Sequence, residues 1–227
     1  MKRLKAGIIG LGVGEKHAAG YHNHSGCEVA ALCDFSEEKL EAVRDKYPDA
    51  RLTTQADEVL SDPEINIVSI ASYDNYHHEQ IVKAINNDKH IFVEKPLCLY
   101  EVEAVEIKQL LQEKPHLKLS SNLILRMSPR FRMLKQMIAD GELGQLFYVE
   151  GDYNYGRLHK ITEGWRGKID FYSVVYGGGV HVIDLLLWLT GDRVIEVAAY
   201  GNNLASSGTS FRYNDMVVSI LKFESGM

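Results

Sequence analysis

The sequence predicts an α/β fold: a doubly wound parallel sheet, followed by an α+β part with an open, mainly antiparallel sheet. Three observations predict it. Short, continuous apolar runs alternate with helical patterns through the first half. The first of these runs ends in a cluster of glycines. Beyond residue 124 helices become sparse and the strand patterns lengthen and alternate. Continuous apolar strands separated by helices belong to a sheet covered on both faces, whereas alternation marks a sheet with one wetter face.

The elements follow in order. LKAGII (4–9), EVAALC (28–33), INIVSIA (65–71), HIFVE (90–94) and LKLSS (117–121) read as strands. The helical patterns between them cover 14–24, 36–46, 55–61, 76–87 and 99–113. Ser36, followed by Glu37 and Glu38, is an N-cap with acids in the first turn. In the second half, 128–140 reads as a helix stopped by Gly141, and 145–155 as a long aromatic strand. An apolar helix over 179–190 ends at Gly191, and strands follow at 194–202 and 216–223. The expected domains are therefore 1–124 and 125–227.

Composition narrows the class. The chain has 227 residues, 45% hydrophobic and 25% charged, enough to bury a core without covalent staples. Net charge is −6, with 14 basic against 20 acidic residues in 1–124 and a neutral remainder. That argues against nucleic acid and anionic membrane as partners. Three cysteines without a C-x-x-C pair point to a reducing cytoplasm. The start has the outline of a secretory leader, but its apolar stretch is glycine-rich and runs at once into Glu15, Lys16 and His17. It reads as a buried strand entering a turn. No apolar run approaches the ~20 residues that span a bilayer.

The first strand runs into Gly10-Leu11-Gly12-Val13-Gly14. A strand, a glycine turn and a helix start make an anion site, because free N–H groups at the helix terminus point outward and glycines admit a pyrophosphate. Asp34 closes the second strand 22 residues after Gly12, where an acidic residue bonds the ribose 2′-OH. Position 15, the third place of G-x-G-x-x-G, holds glutamate. The reading is a dinucleotide site for NAD, with NADP still open and Ser36 softening the preference.

These residues, with His17, HHEQ at 77–80, Glu94-Lys95-Pro96 and GGGVH-x-x-D at 177–184, resemble the Gfo/Idh/MocA oxidoreductases, the glucose–fructose oxidoreductase and inositol dehydrogenase family. The resemblance runs over nearly the whole chain. It implies a Rossmann domain, a C-terminal open sheet, and hydride transfer between nicotinamide and a secondary hydroxyl of a sugar, cyclitol or nucleotide-sugar. It implies Lys95 and His181 as catalytic residues: a lysine stabilises alkoxide character and a histidine takes the proton. It also implies Ser72, His77, Glu94 and Lys95 around the cofactor, and Pro96 as the site of a cis bond. The family's aspartate four residues before the histidine is Gly177 here, with Asp170 and Tyr172 as candidate replacements. Asp184, at i+3 from His181, is a candidate to orient it.

The polar, aromatic stretch 152–172 suits a sugar site. Tyr153, Arg157, Trp165, Arg166, Asp170 and Tyr172 are its candidates, and Arg126 with Arg166 suits an anionic group. The histidines at 22, 24, 77 and 78 lack convincing ligand partners, so no metal is expected. The alternative function is a catalytically weak or inactive dinucleotide-binding sensor of the same fold. By the resemblance the chain is short, ends at a hairpin turn, and reads as a C-terminally truncated form whose sheet face would hold homo-oligomer contacts.

Overall fold

A computed structural model describes residues 3–227; Met1 and Lys2, the first residues of the leader-like start, lie outside the described residues. The chain forms two compact units, Met1–Asn122 and Leu123–Met227.

The first unit is a six-stranded parallel sheet. Its strands are β1 (Leu4–Ile9), β2 (Cys27–Cys33), β3 (Arg51–Thr53), β4 (Ile67–Ile70), β5 (His90–Val93) and β6 (Leu119–Ser121). The spatial order is β3-β2-β1-β4-β5-β6, so the winding reverses between β1 and β4. The helices are α1 (Gly14–His22), α2 (Glu37–Arg44), α3 (Ala56–Leu60), α4 (His77–Asn86) and α5 (Glu101–Glu113).

Period-two alternation sends each strand's side chains to opposite faces. Ile8 and Leu32 join a core with Ala18 of α1 and Leu40 and Val43 of α2. Their neighbours Ile9, Ala31 and Cys33 join the other core, with Val59 and Leu60 of α3, Ile81 and Ile85 of α4, and Ile107 of α5. Each buried Val, Leu or Ile among them contributes about 1.5–3 kcal/mol. Helices on both faces explain why the strands carry no polar stripe. β3 was not anticipated: three residues are too short to show a period, and the strand exists because β2 offers it an edge.

The second unit contains α6 (Pro129–Ala139), α7 (His159–Thr162), α8 (Val180–Thr190), β7 (Val194–Asn202) and β8 (Met216–Phe223). Pro129 opens α6 at a position where its missing N–H costs nothing. Lys135 of α6 donates to the carbonyls of Trp188 and Leu189, at the C-terminal end of α8. α8 ends at Gly191 in the left-handed conformation, φ +68°. β7 and β8 pair antiparallel, with Ala198 opposite Ile220 and Tyr200 opposite Val218. Ile183 and Leu187 of α8 line a groove with Val197, Ala199, Val217 and Leu221 of the sheet.

One expectation fails. Residues 145–155 are not a strand. The alternating aromatics signal strand propensity, but a strand needs a ladder partner, and the only sheet of this unit among the described residues is the β7–β8 pair. Phe147 and Tyr148 stand largely exposed instead.

Candidate functional site

In the first unit the glycine turn lies at the C-terminal end of β1, beside the reversal of strand order. This is where open α/β sheets leave a crevice for ligands. Gly10 has φ +89°, and a Cβ there would stand 2.3 Å from the Ala71 carbonyl oxygen, so only glycine fits. Gly12 differs: nothing lies within 4 Å of its Cβ position. Gly14 opens α1 against Ile8 and Ala71. No side chain caps this helix start, which leaves its N–H donors for an anion. The open face of Gly12 is the space a pyrophosphate needs, and the residues fit a dinucleotide.

Asp34 is buried at the end of β2. Its Oδ2 accepts the Leu11 N–H at 2.7 Å and its Oδ1 the Ser36 N–H at 2.9 Å. The carboxylate thus ties the glycine turn to the start of α2. Lys39 also reaches it, 3.1 Å from Oδ2. The sequence reading missed this pair. Glu15, the departure in the glycine pattern, turns away to an ion pair with Lys46.

Glu94 follows β5. His17 Nε2 lies 3.2 Å from its Oε1, and Asn122 donates to the same oxygen at 2.6 Å. His17 Nδ1 meets Ser69 Oγ at 2.9 Å, and its ring meets the edge of Phe92. Burial pushes the Glu94 carboxyl up, but the bonds from His17 and Asn122 and the Lys95 charge outweigh it, leaving the pKa below the ordinary value. Glu94 is thereby locked among protein partners, and the Lys95 backbone N–H donates to its other oxygen at 3.3 Å. The Lys95–Pro96 peptide is cis. Lys95 itself is half-buried.

His77 is fully enclosed. Its ring bridges the Pro96 carbonyl, 2.6 Å from Nδ1, and the Ser72 carbonyl, 3.3 Å from Nε2. An enclosed ring offers no face to a ligand, so the expected cofactor contact becomes a tie between the loops after β4 and β5. The Ser72 hydroxyl donates to Gln80 Oε1 at 2.7 Å.

In the second unit a wide π-type turn, Val175–Gly179, leads into α8, where His181 is buried on the first turn. A Cβ on Gly177 would fall 1.9 Å from the Tyr172 hydroxyl, and one on Gly178 would fall 2.5 Å from the Tyr153 ring. The glycines thus admit two tyrosine rings just ahead of His181. Tyr153 lies 6.2 Å from the His181 ring, centroid to centroid. Tyr172 is buried between Trp165 and Phe211, and Arg166 stacks over Trp165 at 4.6 Å.

Two expectations here change. Asp184 was expected to orient His181, but its two oxygens take the Nε and Nη2 donors of Arg126, the first at 2.8 Å. A bidentate pair uses two in-plane donors along one edge of the guanidinium, so the Nε and Nη2 donors of Arg126 are taken by Asp184. Asp170 is exposed, and its backbone carbonyl accepts the Tyr213 hydroxyl. Arg157 stands over Tyr155. Among the described residues no group of three His, Cys, Asp or Glu side chains could hold a metal, and no helix is long and apolar enough to cross a membrane.

Comparison with known proteins adds the following. The profile of an oxidoreductase family with an NAD-binding Rossmann fold, GFO/IDH/MocA, matches residues 4–122. The profile of a GFO/IDH/MocA C-terminal domain matches residues 131–227. Inositol 2-dehydrogenase of Salmonella typhimurium is 28% identical over 219 residues, covering 95% of this chain and 63% of that protein. Inositol 2-dehydrogenase of Corynebacterium glutamicum (strain R) is 25% identical over 233 residues, 100% of this chain and 65% of that protein. The chain thus spans somewhat less than two thirds of the length of these relatives. Among solved structures, myo-inositol 2-dehydrogenase of Lactobacillus plantarum superposes with a TM-score of 0.88 at 25% identity, covering 99% of this chain and 68% of that one. A scyllo-inositol dehydrogenase of Lactobacillus casei, solved with NAD(H) and scyllo-inositol, has a TM-score of 0.84 at 21% identity, covering 99% and 67%. This last likeness speaks for the fold.

Proposed function

The chain belongs to the GFO/IDH/MocA oxidoreductase family, and from that premise we propose that it is an NAD-dependent oxidoreductase acting on a secondary hydroxyl of a cyclitol or related sugar. The observation that carries this reading is the glycine turn, whose open Gly12 face lies next to a buried Asp34 that fastens the turn through Leu11. The inositol dehydrogenases among the relatives support a cyclitol as the substrate class.

Bound nicotinamide would supply the hydride acceptor or donor. The protein holds the nucleotide on the turn of Gly10, Gly12 and Gly14, with Asp34 and the loop of Ser72 at its side. Lys95 is the catalytic cation: its ammonium stabilises the negative charge that develops on the substrate oxygen as hydride leaves. Glu94, fixed by His17 and Asn122, steadies the backbone that presents it. His181 takes the hydroxyl proton and returns it in the reverse direction. Tyr153, Trp165, Arg166 and Tyr172 supply the aromatic and polar faces that suit a polyol. In this reading copies of the chain associate through the β7–β8 sheet. The exposed Tyr200, Val218 and Ile220 support this, and sedimentation at two concentrations tests it.

The test of the function is NADH absorbance with NAD against a panel of inositols and simple sugars. Turnover on a cyclitol is the expected result. Tight NADH binding with no turnover across the panel would return the sensor reading.

A further inference from the structure

Arg126 and Arg193 of the second unit each face a carboxylate, that of Asp184 and that of Glu224. Arg157, Lys160 and Arg166 meet none among the described residues and lie against aromatic rings instead. Arg157 is 5.5 Å and Lys160 5.9 Å from the centre of the Tyr155 ring. Arg166 is 4.6 Å from the Trp165 ring and 5.9 Å from the Tyr172 ring. Lys160 and Arg166 are half-buried, and Arg157 is exposed. The acids nearest in the chain, Asp152 and Glu163, are exposed and pair with none of the three among the described residues.

One tight turn holds these cations. A Cβ on Gly164, just after α7, would fall 2.6 Å from the Lys160 carbonyl oxygen, and one on Gly167 would fall 2.5 Å from the Ile161 carbonyl oxygen. The Arg157 carbonyl accepts the Lys160 N–H at 3.0 Å. The glycines let the backbone fold back on α7, so the backbone itself sets the spacing of the three positions.

Aromatic rings connect the turn to His181. Tyr155 stacks on Tyr153 with 5.8 Å between centres, and Tyr153 lies 6.2 Å from the His181 ring. Burial pushes the Tyr155 phenol up, but hydrogen bonding to Lys160 and Arg157 and their charges outweigh it, leaving its pKa below the ordinary value. The phenol oxygen thus marks a place where negative charge is stabilised. A neutral polyol brings no charge to such a place. An anionic oxygen does, and its charge-assisted hydrogen bonds are about twice as strong as neutral ones. A guanidinium also offers carboxylate and phosphate a matching fork of donors.

We propose that Arg157, Lys160 and Arg166 form an anion subsite beside His181, so that the preferred substrate is a cyclitol or sugar carrying a carboxylate or phosphate group. This rests on the oxidoreductase reading given above and adds to it the charge class of the substrate.

The experiment follows NADH formation from NAD with matched compounds: myo-inositol against myo-inositol 1-phosphate, and D-glucose against D-glucuronate and D-glucose 6-phosphate. The glucuronate and phosphate arms separate the two sources of charge. An acidic compound should exceed its neutral counterpart in kcat/KM by about tenfold or more, chiefly through KM. That lead should shrink at about 0.5 M KCl, where exposed charges are screened. Lys160→Gln should cut the lead by about fivefold or more, Arg157→Gln should act in the same direction, and Lys160→Arg should keep it. Equal or better turnover of the neutral compounds overturns the inference alone. So does a Lys160→Gln variant that slows acidic and neutral compounds equally. No turnover of any compound overturns the oxidoreductase reading and the inference with it.

Discussion

The hydroxyl of Tyr172 occupies the place where a side chain at Gly177 would begin: a Cβ there would stand 1.9 Å from it, with the ring carbon Cζ at 2.6 Å. The glycine and the tyrosine are therefore one packing unit, and neither tolerates change alone. Gly177→Ala should destabilise by about 1–3 kcal/mol, the usual cost of overfilling a packed site. In a Tyr172→Leu background that cost should shrink by at least about 1 kcal/mol, giving a clear coupling in a double-mutant cycle followed by chemical denaturation. Additive effects would remove the pair from the account.

Gly10 and Gly12 should separate stability from binding. Gly10→Ala meets both a left-handed backbone and the Ala71 carbonyl, so it should lower the melting temperature by several degrees, equivalent to a loss of more than about 1 kcal/mol. Gly12→Val enters open space. It should leave stability within about 1 kcal/mol of wild type and weaken NADH binding by tenfold or more. The same melting curves and a nucleotide titration check both.

Lys95→Ala should abolish turnover while NADH binding changes by less than about fivefold, because the lysine's contribution falls on the developing charge of the transition state. Full activity in this variant would take Lys95 out of the mechanism.

Glu94 gives the acid limb of stability. Its native pKa lies below the ordinary 4.5 because His17 and Asn122 hold the ionised form. A depressed native pKa means that the unfolded chain binds more protons, so the stabilisation is present above about pH 4.5 and fades as pH falls through the native value. Glu94→Gln should therefore cost a constant amount from about pH 6 to 8 and progressively less below 4.5. Urea unfolding at stepped pH measures it. A gap between wild type and variant that widens in acid would contradict the assignment.

How much of this was legible in the chain depends on the range of each interaction. The apolar runs that send Ile8 and Ile9 to opposite cores are local, and so β1, β2, β4, β5 and β6 and the helices between them could be read from the chain. The glycine turn and Asp34 were legible because their spacing is fixed by one strand–helix–strand unit. Residues 145–155 misled, since a strand depends on a partner that alternation cannot report. Asp184 misled for a related reason. Its helical neighbour His181 is three residues away, but the charge it meets, Arg126, is 58 positions distant. Tyr172 was suspected, but only the close approach to Gly177 gives the reason for glycine there. Lys39 was in plain view five residues after Asp34, yet nothing in the spacing says that its ammonium turns back to that carboxylate.

The parallel sheet carries a consequence for biosynthesis. Its six strands and both of its cores draw only on residues up to Ser121, and the last stitch, Asn122 on Glu94, falls one residue later. Chains emerge from the ribosome amino end first, and domains generally fold as units. The amino-terminal half draws every strand of its own sheet from residues that leave the ribosome ahead of the second unit, so its two cores can close while synthesis of that second unit continues.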